Sequence, residues 1–199
     1  MAAIRVEQLT PRMKDDAARV LARAFVTNPL HVAVFGEDRL ARNEAFFQTA
    51  LERMKGRMLV ALDGEQLVGL VHWVHSPACQ FSLVEKLRMA PALIARFGAP
   101  SAMRVSSWLA AWSRRDPQHP HTHLGPIGVD PPAQGRRVGH RLMEEYCHEL
   151  DRTGAAGYLE TDRSENVRFY RRFGFAITDE IDVLGVRNYL MSREGWRRA

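Results

Sequence analysis

Hydrophobic positions recur along this chain with two periods, near two and near 3.6 residues, and the changes between them outline its elements. Residues 4–9 alternate as a first strand, and Thr10-Pro11 then marks a helix start with proline near the first helical position. Over residues 13–25, Ala17, Val20, Leu21, Ala24 and Phe25 fall at three- and four-residue steps, which predicts an amphipathic helix. Thr27-Asn28-Pro29 breaks that pattern, and residues 28–36 are expected to be a short irregular segment. A second helix is expected over 39–54, with Phe46, Phe47, Ala50, Leu51 and Met54 facing inward.

Two apolar runs, 58–62 and 67–74, flank Asp63-Gly64-Glu65 and predict a hairpin, because Asp-Gly favours tight turns. The segment 83–112, rich in Ala, Met, Leu, Arg and Trp, reads as two helices broken near Gly98-Ala99-Pro100. Asp116-Pro117 and His119-Pro120 then form a loop. Strands over 122–129, 157–161, 175–180 and 186–191 follow, with helices over 135–152 and 164–173 and a turn at Asp130-Pro131-Pro132. No repeat, low-complexity stretch or linker interrupts the chain. A hairpin combined with crossover helices predicts an α+β fold, one domain over 1–199 with a mixed central β-sheet flanked by helices.

Composition narrows the class. The 199 residues, 46% apolar and 26% charged, suit a globular chain that buries a core without disulfides. Cys79 and Cys147 share no CxxC or metal-type spacing, so a reduced, cytoplasmic setting is expected. The N-terminal stretch has no apolar signal-peptide core and no apolar run is long enough to cross a bilayer, so no membrane partner is expected. A net charge of +5 favours anionic ligands. Arg193, Arg197 and Arg198 read as a solvated tail. With no aromatic-interleaved basic strand or recognition helix, no nucleic-acid partner is expected.

Two stretches carry chemistry. The first runs Gly128-Val129-Asp130-Pro131-Pro132-Ala133-Gln134-Gly135-Arg136-Arg137-Val138-Gly139-His140, where a strand gives way to a helix. Glycines let a ligand approach the backbone, and the free N–H groups at a helix start suit a pyrophosphate. Arg136 and Arg137 offer charge-assisted contacts. A plain glycine turn with solvated arginines fits the same residues, and neither Walker nor GxGxxG spacing is present. The second stretch is Tyr158-Leu159-Glu160-Thr161 with Asn166-Val167-Arg168-Phe169-Tyr170-Arg171-Arg172-Phe173-Gly174-Phe175. Asn166 and Tyr170 share a helix face, where Tyr170 either packs in the core or offers its hydroxyl to a reacting group.

In this order and separation the two stretches resemble the GCN5-related N-acetyltransferase (GNAT) superfamily, over 124–143 and 158–175. The wording YLET, FYRRFGF and a late LMSR is similar to its puromycin N-acetyltransferase-like members. The resemblance implies that residues 119–199 bind acetyl-CoA and residues 1–118 shape the acceptor site. Backbone amides over Gln134, Gly135, Arg136, Arg137, Val138, Gly139 and His140 would then hold the CoA pyrophosphate. Ile127, Gly128 and Val129 would pair with the pantetheine arm and polarise the thioester. Asn166 matches a residue near that arm, and Tyr170 matches the tyrosine that protonates the departing thiolate. Arg137 stands where the family loop has glycine, and a positive φ there would strain it.

The implied reaction is acetyl-CoA-dependent transfer to a primary amine of a small molecule or peptide, by direct attack in a ternary complex. The alternative is a catalytically silent CoA-binding sensor or interaction module. Glu160 is either the general base or a carboxylate that orients the Asn166 turn. His31, Phe35, His72, His121 and His123 are candidates for the acceptor side, with Trp73 and His75 beside them on the hairpin. Trp108 and Trp112 read as core or lid packing. The run His119-x-His121-x-His123 lacks a fourth ligand at a matched spacing, so no metal is expected.

Overall fold

The alternating stretches pair into one sheet. The computed structural model describes residues 4–80 and 82–195. Its strands are β1 (Arg5–Gln8), β2 (Arg57–Asp63), β3 (Gln66–His75), β4 (His121–Val129), β5 (Ala156–Thr161), β6 (Ala176–Val183) and β7 (Val186–Arg193). They lie in the order β1-β2-β3-β4-β5-β7-β6, and only the β4–β5 pair is parallel. The helices are α1 (Lys14–Phe25), α2 (Pro29–Phe35), α3 (Leu40–Arg53), α4 (Leu83–Phe97), α5 (Ala99–Ser113), α6 (Val138–Thr153) and α7 (Ser164–Arg171).

Alternation along β2 feeds two cores. Val60 and Leu62 join Ala17 and Leu21 of α1 and Phe47 and Leu51 of α3. Leu59 and Ala61 join Leu142, Met143 and Tyr146 of α6, together with Val71, Trp73 and Leu124 of the sheet. Full burial of a side chain such as Leu21 contributes about 1.5–3 kcal/mol, so the helices on each face hold the sheet firmly. A third cluster joins Leu30, Val34 and Phe35 of α2 to Phe97 of α4 and Trp108 of α5, beside Val183 of β6. Among the described residues, no helix is long and apolar enough to cross a membrane.

Three local expectations are corrected. Residues 28–36 are not irregular: Pro29 to Phe35 form a helix, with proline at a position whose N–H would have no helical acceptor. Its next amide, Leu30 N, donates to Asp162 Oδ2 at 2.7 Å. Helix α6 starts at Val138 and not near Gly135, because Gly135 and Arg137 have φ of +75° and +62°. Arg193 belongs to β7 and binds Asp151 at 2.6 Å, while Arg197 and Arg198 lie outside the described residues.

The β4–β5 ladder joins His121, Thr122 and His123 to Ala156, Gly157 and Tyr158, and then stops. Beyond it β4 runs on to Val129 and β5 to Thr161 without pairing with each other. A bulge bends β4 at the same place: between Leu124↔Trp73 and Ile127↔Val71, both Gly125 and Pro126 stand opposite His72 alone. Pro126 has no N–H for a ladder, and a Cβ on Gly125 would lie 2.1 Å from His72 Nδ1. The bulge therefore requires a residue without a side chain at 125.

Candidate active site

A cavity of about 400 Å³ opens where β4 and β5 part. Phe25, Phe46 and Trp108 give it an apolar wall, and Glu160, Asn166 and Tyr170 give it polar groups. Burial raises the Tyr170 phenol above its ordinary pKa, so it keeps its proton at neutral pH. One turn before it on α7, Asn166 Nδ2 donates to Thr161 Oγ1 at 3.2 Å. Thr161 therefore orients the Asn166 turn, the part that the sequence left open to Glu160.

Glu160 is held elsewhere. Its side chain is 1% exposed, and Oε2 accepts from His123 Nε2 at 2.9 Å. Its other oxygen, Oε1, has no hydrogen-bond partner among the described residues. On its far side His123 reaches Asp116 Oδ1 with Nδ1 at 3.1 Å, and His121 Nε2 lies 3.3 Å from that oxygen. Burial opposes charge on His123, yet Glu160 and Asp116 outweigh it and raise its pKa well above the ordinary value. His121 is raised to about 9, its burial outweighed by the bond to Asp116. Burial also works against the Asp116 carboxylate, but bonds from both imidazoles hold it well below the usual range.

The acceptor-side residues divide. His31 lines the cavity, bonded through Nδ1 to Asn43 Oδ1 at 2.5 Å and stacked on Phe47 at 5.3 Å. His72 lines it too, with Nε2 donating to Lys55 O at 2.6 Å. Burial lowers both to about 4, so both rings are neutral at pH 7. Phe35 does not reach the cavity; it packs on Phe46 and Phe97 in the third core. His121 is enclosed beside His123 and is likewise absent from the lining. Alternation along β3 sends His72 toward the cavity, Trp73 to the α6 side against Tyr146, and exposed His75 to Thr122 Oγ1 at 2.9 Å. Trp108 and Trp112 meet edge to face at 5.1 Å and both form cavity wall.

The glycine loop is built around backbone groups. Gln134 Nε2 donates to Val129 O at 3.1 Å, and Arg136 Nη2 donates to Asp63 Oδ2 at 2.7 Å. The Arg136 guanidinium is thus engaged by the β2–β3 turn, whereas Arg137 is exposed. Arg137 adopts the left-handed conformation, which costs a non-glycine residue roughly 1–2 kcal/mol. The first α6 bond runs from Arg141 N to Arg137 O, and among the described residues no side chain caps the helix. The N–H groups of Val138, Gly139 and His140 therefore have no helical acceptor. The Val138 side chain is buried, and the His140 ring lies 5.0 Å from that of Phe173.

In the strand end, Ile127 lines the cavity, Val129 packs on the α6-side core, and Gly128 lies against Leu21 of α1. Buried Asp130 accepts two bonds from Arg23, at 2.8 and 2.7 Å, and fixes α1 to this strand end. No local spacing marks Asp130, Asp162 or Cys79, whose partners lie tens of residues away, and Asp116 read only as part of a loop although its partner His123 is 7 residues on.

The chain matches the Acetyltransferase (GNAT) family over residues 24–175, and it belongs to that family. A stretch of 54 residues, 26% of this chain, is 43% identical to mycothiol acetyltransferase of Mycobacteroides abscessus and spans 18% of that protein. The fold is similar to a structure described as histone acetyltransferase HPA2 and related acetyltransferase from Corynebacterium glutamicum. That match has a TM-score of 0.77 and 22% identity, covering 100% of this chain and 99% of the other. It is also similar to PaiA N-acetyltransferase of Thermoplasma acidophilum in complex with coenzyme A, with a TM-score of 0.56 and 11% identity over 96% and 99% of the two chains. The likeness to puromycin N-acetyltransferases is carried by motif wording alone.

Proposed function

We propose that this chain moves an acetyl group from acetyl-CoA to a primary amine of a small molecule or peptide, by direct attack in a ternary complex. One observation carries the reading: Ile127, Glu160, Asn166 and Tyr170 line a single cavity at the point where β4 and β5 part. Acetyl-CoA supplies the acyl group and a thiolate leaving group. The free amides of Val138, Gly139 and His140 suit its pyrophosphate, with the positive end of the α6 dipole behind them. Exposed Arg137 adds charge there, while Arg136 keeps the loop on the hairpin turn.

An ammonium acceptor, with a pKa of about 10.4, must lose a proton before it attacks. Glu160 takes that proton on Oε1, its Oε2 being held by His123. Amides at the Ile127–Val129 strand end polarise the thioester carbonyl. Tyr170, kept protonated by burial, protonates the thiolate. The aromatic wall and the neutral His31 and His72 favour an amine carried on an apolar body. The sensor alternative leaves the unpartnered Glu160 oxygen, in the cavity that Tyr170 also lines, without a task.

Thiol release from acetyl-CoA, measured across a panel of amines, tests these roles. Tyr170→Phe should bind acetyl-CoA as the wild type does and turn over at least about 100-fold more slowly, the range expected for loss of a general acid. Equal turnover would remove Tyr170 from the chemistry. Wild-type binding with no acetylation of any amine would favour the sensor.

A further inference from the structure

Beside the Glu160–His123 pair, four side chains from three segments converge. Cys79 comes from the β3–α4 connection, Asp116 from the α5–β4 loop, and His121 and His123 from β4. We propose that these four residues form a divalent-metal site of the zinc type.

One donor atom of each residue lies within 4.8 Å of all the others. Cys79 Sγ is 3.4 Å from Asp116 Oδ2 and 3.8 Å from His121 Nε2. Asp116 Oδ1 is 3.3 Å from His121 Nε2 and 3.1 Å from His123 Nδ1. With zinc–sulfur bonds of about 2.3 Å and zinc–nitrogen or –oxygen bonds of about 2.0–2.1 Å, a tetrahedral site has edges of about 3.3–3.6 Å. The separations of Asp116 Oδ1 from both imidazoles and of Cys79 Sγ from His121 are therefore close to those a tetrahedral cation requires, with Asp116 Oδ2 left to Gln80. A thiolate and two imidazoles favour zinc over magnesium or calcium, which take oxygen ligands.

The outer hydrogen bonds supply an independent argument. A ligating imidazole donates through its other nitrogen, which fixes both tautomer and ring. His121 Nδ1 donates to His119 O at 2.9 Å and leaves Nε2 for the cluster. His123 Nε2 donates to Glu160 Oε2 at 2.9 Å and leaves Nδ1 for it. Asp116 Oδ2 accepts from Gln80 Nε2 at 2.7 Å, and Gln80 Oε1 accepts from Ser113 Oγ at 2.5 Å. His119, the third member of the histidine run, contributes its carbonyl and not its ring.

Metal binding would release the Cys79 thiol proton, and any protons on the inward imidazole nitrogens, to solvent. The ion would tie the α5–β4 loop and the β3–α4 connection to β4. It would thereby fix one end of the acceptor cavity, which Cys79, Asp116 and His123 also line.

The test uses untagged full-length protein, stripped with a chelator and checked for folding by circular dichroism. Zn(II) is titrated against a chromophoric competitor, and Co(II) is followed by absorption. The expected result is one Zn(II) per chain, and a Co(II) form with thiolate charge transfer and intense tetrahedral d–d bands. Cys79→Ser should lose the charge-transfer band. Asp116→Asn and His121→Ala should each weaken Zn(II) binding by at least about tenfold, while His119→Ala should bind as the wild type does. Folded wild type that takes up no stoichiometric Zn(II) would overturn the proposal, leaving a hydrogen-bonded cluster only. So would a Co(II) spectrum that Cys79→Ser leaves unchanged. Neither readout involves acetyl-CoA, so failure here would leave the transferase reading untouched.

Discussion

His31 has Asn43 as its polar partner and is enclosed by the rings of Phe25, Phe46, Phe47 and Trp108. Burial lowers its pKa from 6.5 to about 4. Between those values the unfolded chain binds a proton that the folded chain excludes. The contribution of neutral His31 is therefore fully present above pH 6.5 and is lost as pH falls through about 4. At about 1.4 kcal/mol per pH unit, its upper bound is on the order of 3 kcal/mol. Urea titrations across this range should show wild-type stability falling with acid more steeply than that of His31→Gln. Parallel slopes would contradict the assignment. Gly125 gives a second test at this scale. Gly125→Ala pushes a Cβ into His72 Nδ1 and should cost about 1–3 kcal/mol. In a double-mutant cycle, His72→Ala should recover part of that loss; strict additivity would show that the contact does not matter.

Helix α2 depends on groups far along the chain. Asp162 accepts from Leu30 N, and Arg163 Nη2 reaches Thr27 O and Oγ1 at 2.5 and 2.8 Å. Asp162→Ala leaves that helix start without its carboxylate and should cost about 1–3 kcal/mol. Hydrogen exchange should then quicken in α2 while α6 amides keep their protection; unchanged α2 exchange would count against the anchor. The same dependence explains what the sequence disclosed. α1, α3 and α6 carry their cores at helical spacing, and Asp63-Gly64 marks the hairpin, so these were legible locally. α2 has seven residues and is anchored 132 positions downstream, so Thr27-Asn28-Pro29 read only as a break. Buried residues on both faces of β3 hid the register that separates His72 from Trp73 and His75. The α6 start was displaced because no spacing reveals a left-handed Arg137.

Across the whole molecule, the site arises from one topological event, the parting of two parallel neighbours in an otherwise antiparallel sheet. The motif residues Gln134–His140, Glu160, Asn166 and Tyr170 were legible because each lies in a short continuous stretch. The Cys79–Asp116–His121–His123 cluster was not, since three separate segments meet there only through the fold. In the proposed function, the parted strands and the uncapped α6 together form the acetyl-CoA site. Calorimetric titration of the wild-type chain with acetyl-CoA, at two temperatures, tests this most directly. One site per chain is predicted, weakened at least about tenfold in Gly139→Asp, which sets a carboxylate against the pyrophosphate amides. No saturable binding by the wild type at either temperature would contradict it.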